Sequence, residues 1–64
     1  MYYFKSNIEV KVNKTKASEV IGIARPHITN IINRKIGCSK HVAYCITKYI
    51  NSEAEISDYF ERIE

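Results

Sequence analysis

Isoleucines set the rhythm of the central part of this chain. Ala17, Ile21, Ile23, Ile28, Ile31 and Ile32 are separated by polar residues at spacings that suit two short helices bent around Gly22. Asn13 is a good N-cap for the first, with Val12 and Ala17 in the positions of a hydrophobic staple. A helix over 14–21 is therefore predicted, stopped by Gly22, after which Ile23 returns to the core. The second helix begins near Arg25, where Pro26 is tolerated because a first-turn amide has no partner within the helix. Its inner face is Ile28, Ile31 and Ile32, at spacings of three and four. An apolar seam with a glycine at the bend is the pattern of a helix-turn-helix over about 14–34, which leaves the second helix on the outside of the domain.

Residues 34–39 read as a loop. Ser39 caps a further helix whose stripe is Val42, Cys45, Ile46, Tyr49 and Ile50. Ser52 with Glu55 three residues on has the arrangement of a capping box, predicting a last short helix. That helix would lay Ile56, Tyr59, Phe60 and Ile63 over the core or over a partner subunit. The N-terminal stretch differs: Phe4, Ile8, Val10 and Val12 alternate with Lys5, Asn7, Glu9 and Lys11, favouring an extended strand or arm over 2–12. Ser6-Asn7 would suit a tight turn between two very short strands. Phe4, Ile8 and Val12 also fall at helical spacing, so both readings stand. The expected fold is mainly α: one helix-turn-helix domain over 1–64, with four to five helices and a short N-terminal strand or arm.

Sixty-four residues bury only about 60% of the surface their unfolded chain exposes. So thin a core leaves little room for an enclosed catalytic pocket, and no enzyme is expected. Charge is unevenly distributed. Up to Ser52, nine Lys or Arg face Glu9 and Glu19, a balance of 9 − 2 = +7; from Glu53 onward five acids face Arg62, a balance of 1 − 5 = −4. A basic body with an acidic end suits a polyanionic partner, whereas the bland reading is a solvated basic surface. No apolar run reaches the length of a membrane span and no signal-peptide pattern opens the chain, so cytoplasmic residence is expected. In that compartment Cys38 and Cys45 stay reduced.

With its isoleucines inward, the second helix presents Pro26, Thr29, Asn30 and Asn33 outward, flanked by Arg25, His27 and Arg34. Asn pairs bidentately with adenine, Arg with guanine, and Thr offers a methyl to thymine, so these side chains suit base edges in a major groove. The candidates for base readout are Arg25, Thr29, Asn30 and Asn33, with His27 beside them. Candidates for phosphate contact are Asn13, Lys14, Thr15, Lys16, Arg34, Lys35 and Lys40, the first four surrounding a helix start whose free amides favour anions. An ordinary solvated helix face is the competing reading, but residues 20–52 contain no Asp or Glu. Cys38, His41 and Cys45, with His27 as a fourth, match no common structural zinc spacing, so neither metal nor other cofactor is expected. Cys45 reads as a core residue and Cys38 as a loop thiol. Tyr2 and Tyr3 suit a contact surface.

Residues 13–60 resemble the Xre/Cro-type helix-turn-helix of phage and bacterial repressors. GIARPHITNIINRK is similar to that family's Gly-Ile-Ser run, IGCSKHVAYCITKYI resembles the helix completing its core, and EISDYF resembles its closing turn. The chain departs from the pattern at Ala24, where a capping Ser or Thr is usual, and at Pro26, where a side chain often touches DNA. It also lacks the usual first helix. The resemblance implies a sequence-specific regulator of transcription, a Cro-like repressor binding double-stranded DNA as a homodimer on a palindromic operator. The alternative is a protein-binding antirepressor or inhibitor built on the same fold.

Overall fold

The computed structural model describes residues 1–6, 8 and 10–63. It orders them as β1 (Tyr2–Phe4), α1 (Lys14–Ile21), α2 (Arg25–Ile32), α3 (Lys40–Ile50), α4 (Ile56–Tyr59) and β2 (Phe60–Arg62). The fold is mainly α, with four helices and one two-stranded sheet among the described residues.

Local chemistry accounts for the helix boundaries. Asn13 accepts a hydrogen bond from the Lys16 amide and opens α1, while Ser39 accepts from the Val42 amide and opens α3. Gly22 ends α1 at φ 86°, a left-handed conformation in which a Cβ would be strained, and its amide donates to the Ser18 carbonyl. The Ser18 hydroxyl donates to the Ile23 carbonyl, which pins the bend from the other side. Nothing caps α2 through a side chain: Ala24 holds the N-cap position, and Pro26 in the first turn lacks the amide that would need satisfying.

β1 supplies what the helices lack. It pairs antiparallel with β2 in the register Tyr2↔Arg62, Tyr3↔Glu61 and Phe4↔Phe60. The amino group of Met1 and the amide of Ile63 extend the ladder by donating to each other's carbonyls. On its other edge Tyr2 exchanges both backbone hydrogen bonds with Cys38. Gly37 lies so close to the Tyr3 ring that a Cβ there would stand 2.9 Å from it. Phe4 and Phe60 thus enter the core together, edge to face with centroids 5.2 Å apart, beside Ile31, Cys38, Ala43 and Ile46.

Four expectations are corrected. Among the described residues of 2–12, Tyr2–Phe4 form the one strand and none is helical; Ile8 and Val10 pack on the core without regular structure. Ser6 lies in a turn, but Asn7 falls outside the described residues, as does Glu9. The final helix is a single turn capped by Glu55 and Asp58, not by Ser52; Phe60 opens the strand that follows it and Ile63 lies beyond that strand. The deep face of α3 is Ala43, Ile46 and Thr47, with Val42, Cys45, Tyr49 and Ile50 only partly buried. A hydrophobicity reading skips Ala43 because it is small, yet its size allows close approach of a neighbouring element. Lastly, the two cysteines are reversed: Cys38 is the core residue and Cys45 the half-buried one. The backbone exchange with Tyr2 draws Cys38 inward, and burial pushes its thiol pKa up to about 11.

Arg34 closes the loop after α2. It adopts φ 62°, its Nη1 donates to Glu61 Oε2 at 2.8 Å and to the Phe4 carbonyl at 3.3 Å, and its guanidinium lies 6.0 Å from the Tyr3 centroid. The hydrogen bond and charge of Arg34 hold the Glu61 carboxyl below its ordinary value. Because the folded-state pKa is the lower one, this stabilisation is present above the unfolded carboxylate pKa of about 4.3 and is lost as pH falls through the folded value.

Three measurements check this account. In thermal unfolding, Phe60→Ala is expected to cost about 3–5 kcal/mol, whereas Ile63→Ala, at a side chain 40% exposed, leaves stability nearly unchanged. Glu61→Gln is expected to remove part of the acid-side loss of stability, so wild type and variant converge in melting temperature as pH drops below about 4. Thr47 is fully buried and its hydroxyl has no hydrogen-bond partner. Thr47→Val is therefore expected to stabilise the fold, by about 1–2 kcal/mol in denaturant titration.

Candidate nucleic-acid interface

The outer side of α2 follows from what its inner side buries. Ile28 and Ile31 are fully buried, three residues apart, and this fixes the rotation of the helix about its axis. Arg25, Pro26, His27 and Asn33 are consequently exposed, and Thr29 and Asn30 half-buried. These residues span the whole helix, from its first position to the C-cap Asn33. All five residues proposed for base readout thus belong to one eight-residue helix and its cap.

Their side chains differ in how free they are. Among the described residues, the His27 ring and the amides of Asn30 and Asn33 make no side-chain hydrogen bond, so their donors and acceptors remain for a partner. The Thr29 hydroxyl donates back to the Arg25 carbonyl, which spends its proton and leaves its methyl and lone pairs. Asn30 has a further structural duty: its backbone carbonyl accepts from the amides of Lys35 and Ile36 and so draws the following loop up against the helix end.

Arg25 joins the two helices. Its Nη1 donates to Thr15 Oγ1 at 3.2 Å, which sets a guanidinium beside the first turn of α1. That turn carries Asn13, Thr15 and Lys16, all exposed, and the half-buried Lys14, with no acidic residue in it. One base-reading candidate, Arg25, therefore meets a phosphate-binding candidate, Thr15, where the two helix starts come together. Asn13 has already committed its side-chain oxygen to the Lys16 amide, so its amide nitrogen is the part left for an anion.

The remaining phosphate candidates separate. Lys35 is exposed in the loop after α2. Arg34 is held by Glu61 and the Phe4 carbonyl, and its duty is to join that loop to the sheet. Lys40, in the first turn of α3, lines a shallow groove with Met1, Tyr2, Cys38, Ser39 and Arg62, on the sheet side of the molecule. Neither arrangement was legible in the sequence. Arg34 and Glu61 lie 61 − 34 = 27 residues apart, and only the β1–β2 pairing brings them together.

Of the seven acids, only Glu19 falls within residues 10–52, and it is exposed on α1. No group of three or more His, Cys, Asp or Glu gathers as a metal site among the described residues, and none of their helices is long and apolar enough to cross a membrane. Compared with known proteins, the chain matches no family model, no curated sequence and no solved structure.

Proposed function

We propose that the protein is a sequence-specific double-stranded DNA-binding regulator of transcription, a cytoplasmic Cro-like repressor that acts as a homodimer on a palindromic operator. The observation that carries this reading is the outer side of α2. It is a polar helix face without acids, exposed at Arg25, His27 and Asn33 and half-buried at Thr29 and Asn30, with its Asn amides unspent and an arginine bridged to the basic start of α1. In this reading α2 lies in a major groove, where Arg25, Thr29, Asn30, Asn33 and His27 meet base edges. Lys14, Thr15, Lys16 and Asn13 meet the phosphate backbone on one flank, and Lys35, in the loop after α2, extends the contact. Two copies related by a two-fold axis double this limited set of contacts on a symmetric site. Repression then follows from occupying DNA that polymerase needs.

Selection of bound sequences from a random duplex pool at fixed salt is expected to return a palindrome. On the selected site, Asn30→Ala and Arg25→Ala are each expected to weaken binding roughly 5–150-fold and to relax preference at particular positions. Lys16→Ala should weaken all sequences alike and make the slope of log affinity against log salt shallower by about one. Binding indifferent to Asn30→Ala and Arg25→Ala would sink the readout. Retention of a stoichiometric protein partner with no specific DNA would assign the chain instead to the protein-binding alternative.

A further inference from the structure

Outside the α2 face, one pair of side chains is placed for chemistry that the DNA reading does not use. His41 and Cys45 lie one turn apart on α3, and His41 Nε2 approaches Cys45 Sγ to 3.8 Å. Both cysteines are free, His41 is exposed and Cys45 half-buried, so solvent reaches the pair. Zinc–sulfur and zinc–nitrogen bonds of about 2.3 and 2.0–2.1 Å at a tetrahedral angle put the two donor atoms about 3.6 Å apart. The helix therefore holds this thiol and imidazole within a small side-chain adjustment of chelating geometry, with Nε2 already the nitrogen facing the sulfur.

Cys38 cannot complete the site, since it is buried beneath the bridge to Tyr2. No third His, Cys, Asp or Glu joins the pair among the described residues. A tetrahedral soft cation needs two further ligands, which must come from outside the described residues of this chain. The surroundings indicate from where. Cys45 lines a hollow between α1 and α3 with Val20, Ile21, Tyr44, Lys48 and Tyr49. Val20 is 65% exposed and Tyr44 50% exposed, an apolar patch that a facing molecule would cover. Lys48, the cation that lines this hollow, donates to the carbonyls of Ala54 and Ser52 and is thereby committed to the chain's own backbone.

We propose that His41 and Cys45 form half of a tetrahedral site for zinc or a similar soft divalent cation, completed by the same pair from a second copy of this chain. A two-fold axis beside the Val20–Tyr44 patch would give a Cys2His2 shell and bury that patch. Each Cys45 binds as thiolate, releasing its proton to solvent, and each His41 binds as neutral imidazole. The site is independent of the DNA reading and stands or falls on its own test.

The test is titration of the reduced, metal-free protein with cobalt(II), followed by absorbance and by sedimentation. The expected result is thiolate-to-cobalt charge transfer with the intense visible bands of tetrahedral cobalt, saturating at one metal per two chains as the mass doubles, and displaced by zinc. Cys45→Ser and His41→Ala should abolish both the bands and the mass change while circular dichroism keeps its helical signal. Cys45→His should restore dimerisation by cobalt without the charge-transfer band. Bands that persist in Cys45→Ser, absence of any cobalt signal in the wild type, or a one-to-one complex of unchanged mass would each overturn the proposal.

Discussion

The structure depends on the pairing of Tyr2–Phe4 with Phe60–Arg62. α1, α2 and α3 are short, and helices of 8–11 residues are marginal in water without tertiary support. Their packed faces bury Ile28, Ile31 and Ile46 beside the small Ala17 and Ala43, and the largest side chains of the core come from outside these three helices. These are Phe4 and Phe60, and a two-stranded sheet carries them in side by side. The sheet is itself too small to stand alone; it persists because Cys38 pairs with its free side and Arg34 binds across it to Glu61. Strands and helices each complete what the other leaves open.

The central helices were legible because their signals are local. Asn13, Gly22, Pro26 and Ser39 act within four residues of themselves, and each stands where its chemistry predicts. The C-terminal segment was misread for the opposite reason. Ser52 and Glu55 present a capping pattern, but Glu55 and Asp58 form the box, and Phe60 leaves the helix for a strand partner at the other end of the chain. No window of neighbouring residues contains that partner. The exchange of roles between Cys38 and Cys45 has the same origin, since Cys38 is drawn inward by Tyr2. Of the proposed DNA-contacting set, helix periodicity placed the five α2 residues, while only the fold could divert Arg34 to Glu61 and set Lys40 beside Arg62.

The acidic end of the chain acquires a role from this arrangement. Composition alone presents it as a charge block turned away from a polyanion, yet Glu61 neutralises Arg34, Glu55 and Asp58 cap α4, and Lys5 donates to the Ser57 carbonyl. These acids serve the fold locally. Residues 10–52, which include the basic start of α1 and the outer side of α2, carry Glu19 as their single acid.

The sheet also sets an order of events. Joining Phe4 to Phe60 closes a loop of 60 − 4 = 56 residues, with an entropy cost of about 3.6 kcal/mol beyond a constant. Contacts between α1, α2 and α3 span much shorter stretches and can form first. β1 is synthesised before residues 60–62, so Phe4 lacks the Phe60 ring it packs against until those residues emerge. The step that completes this core is its most non-local one, and the time the nascent chain spends exposed to aggregation is set by the pairing of β1 with β2.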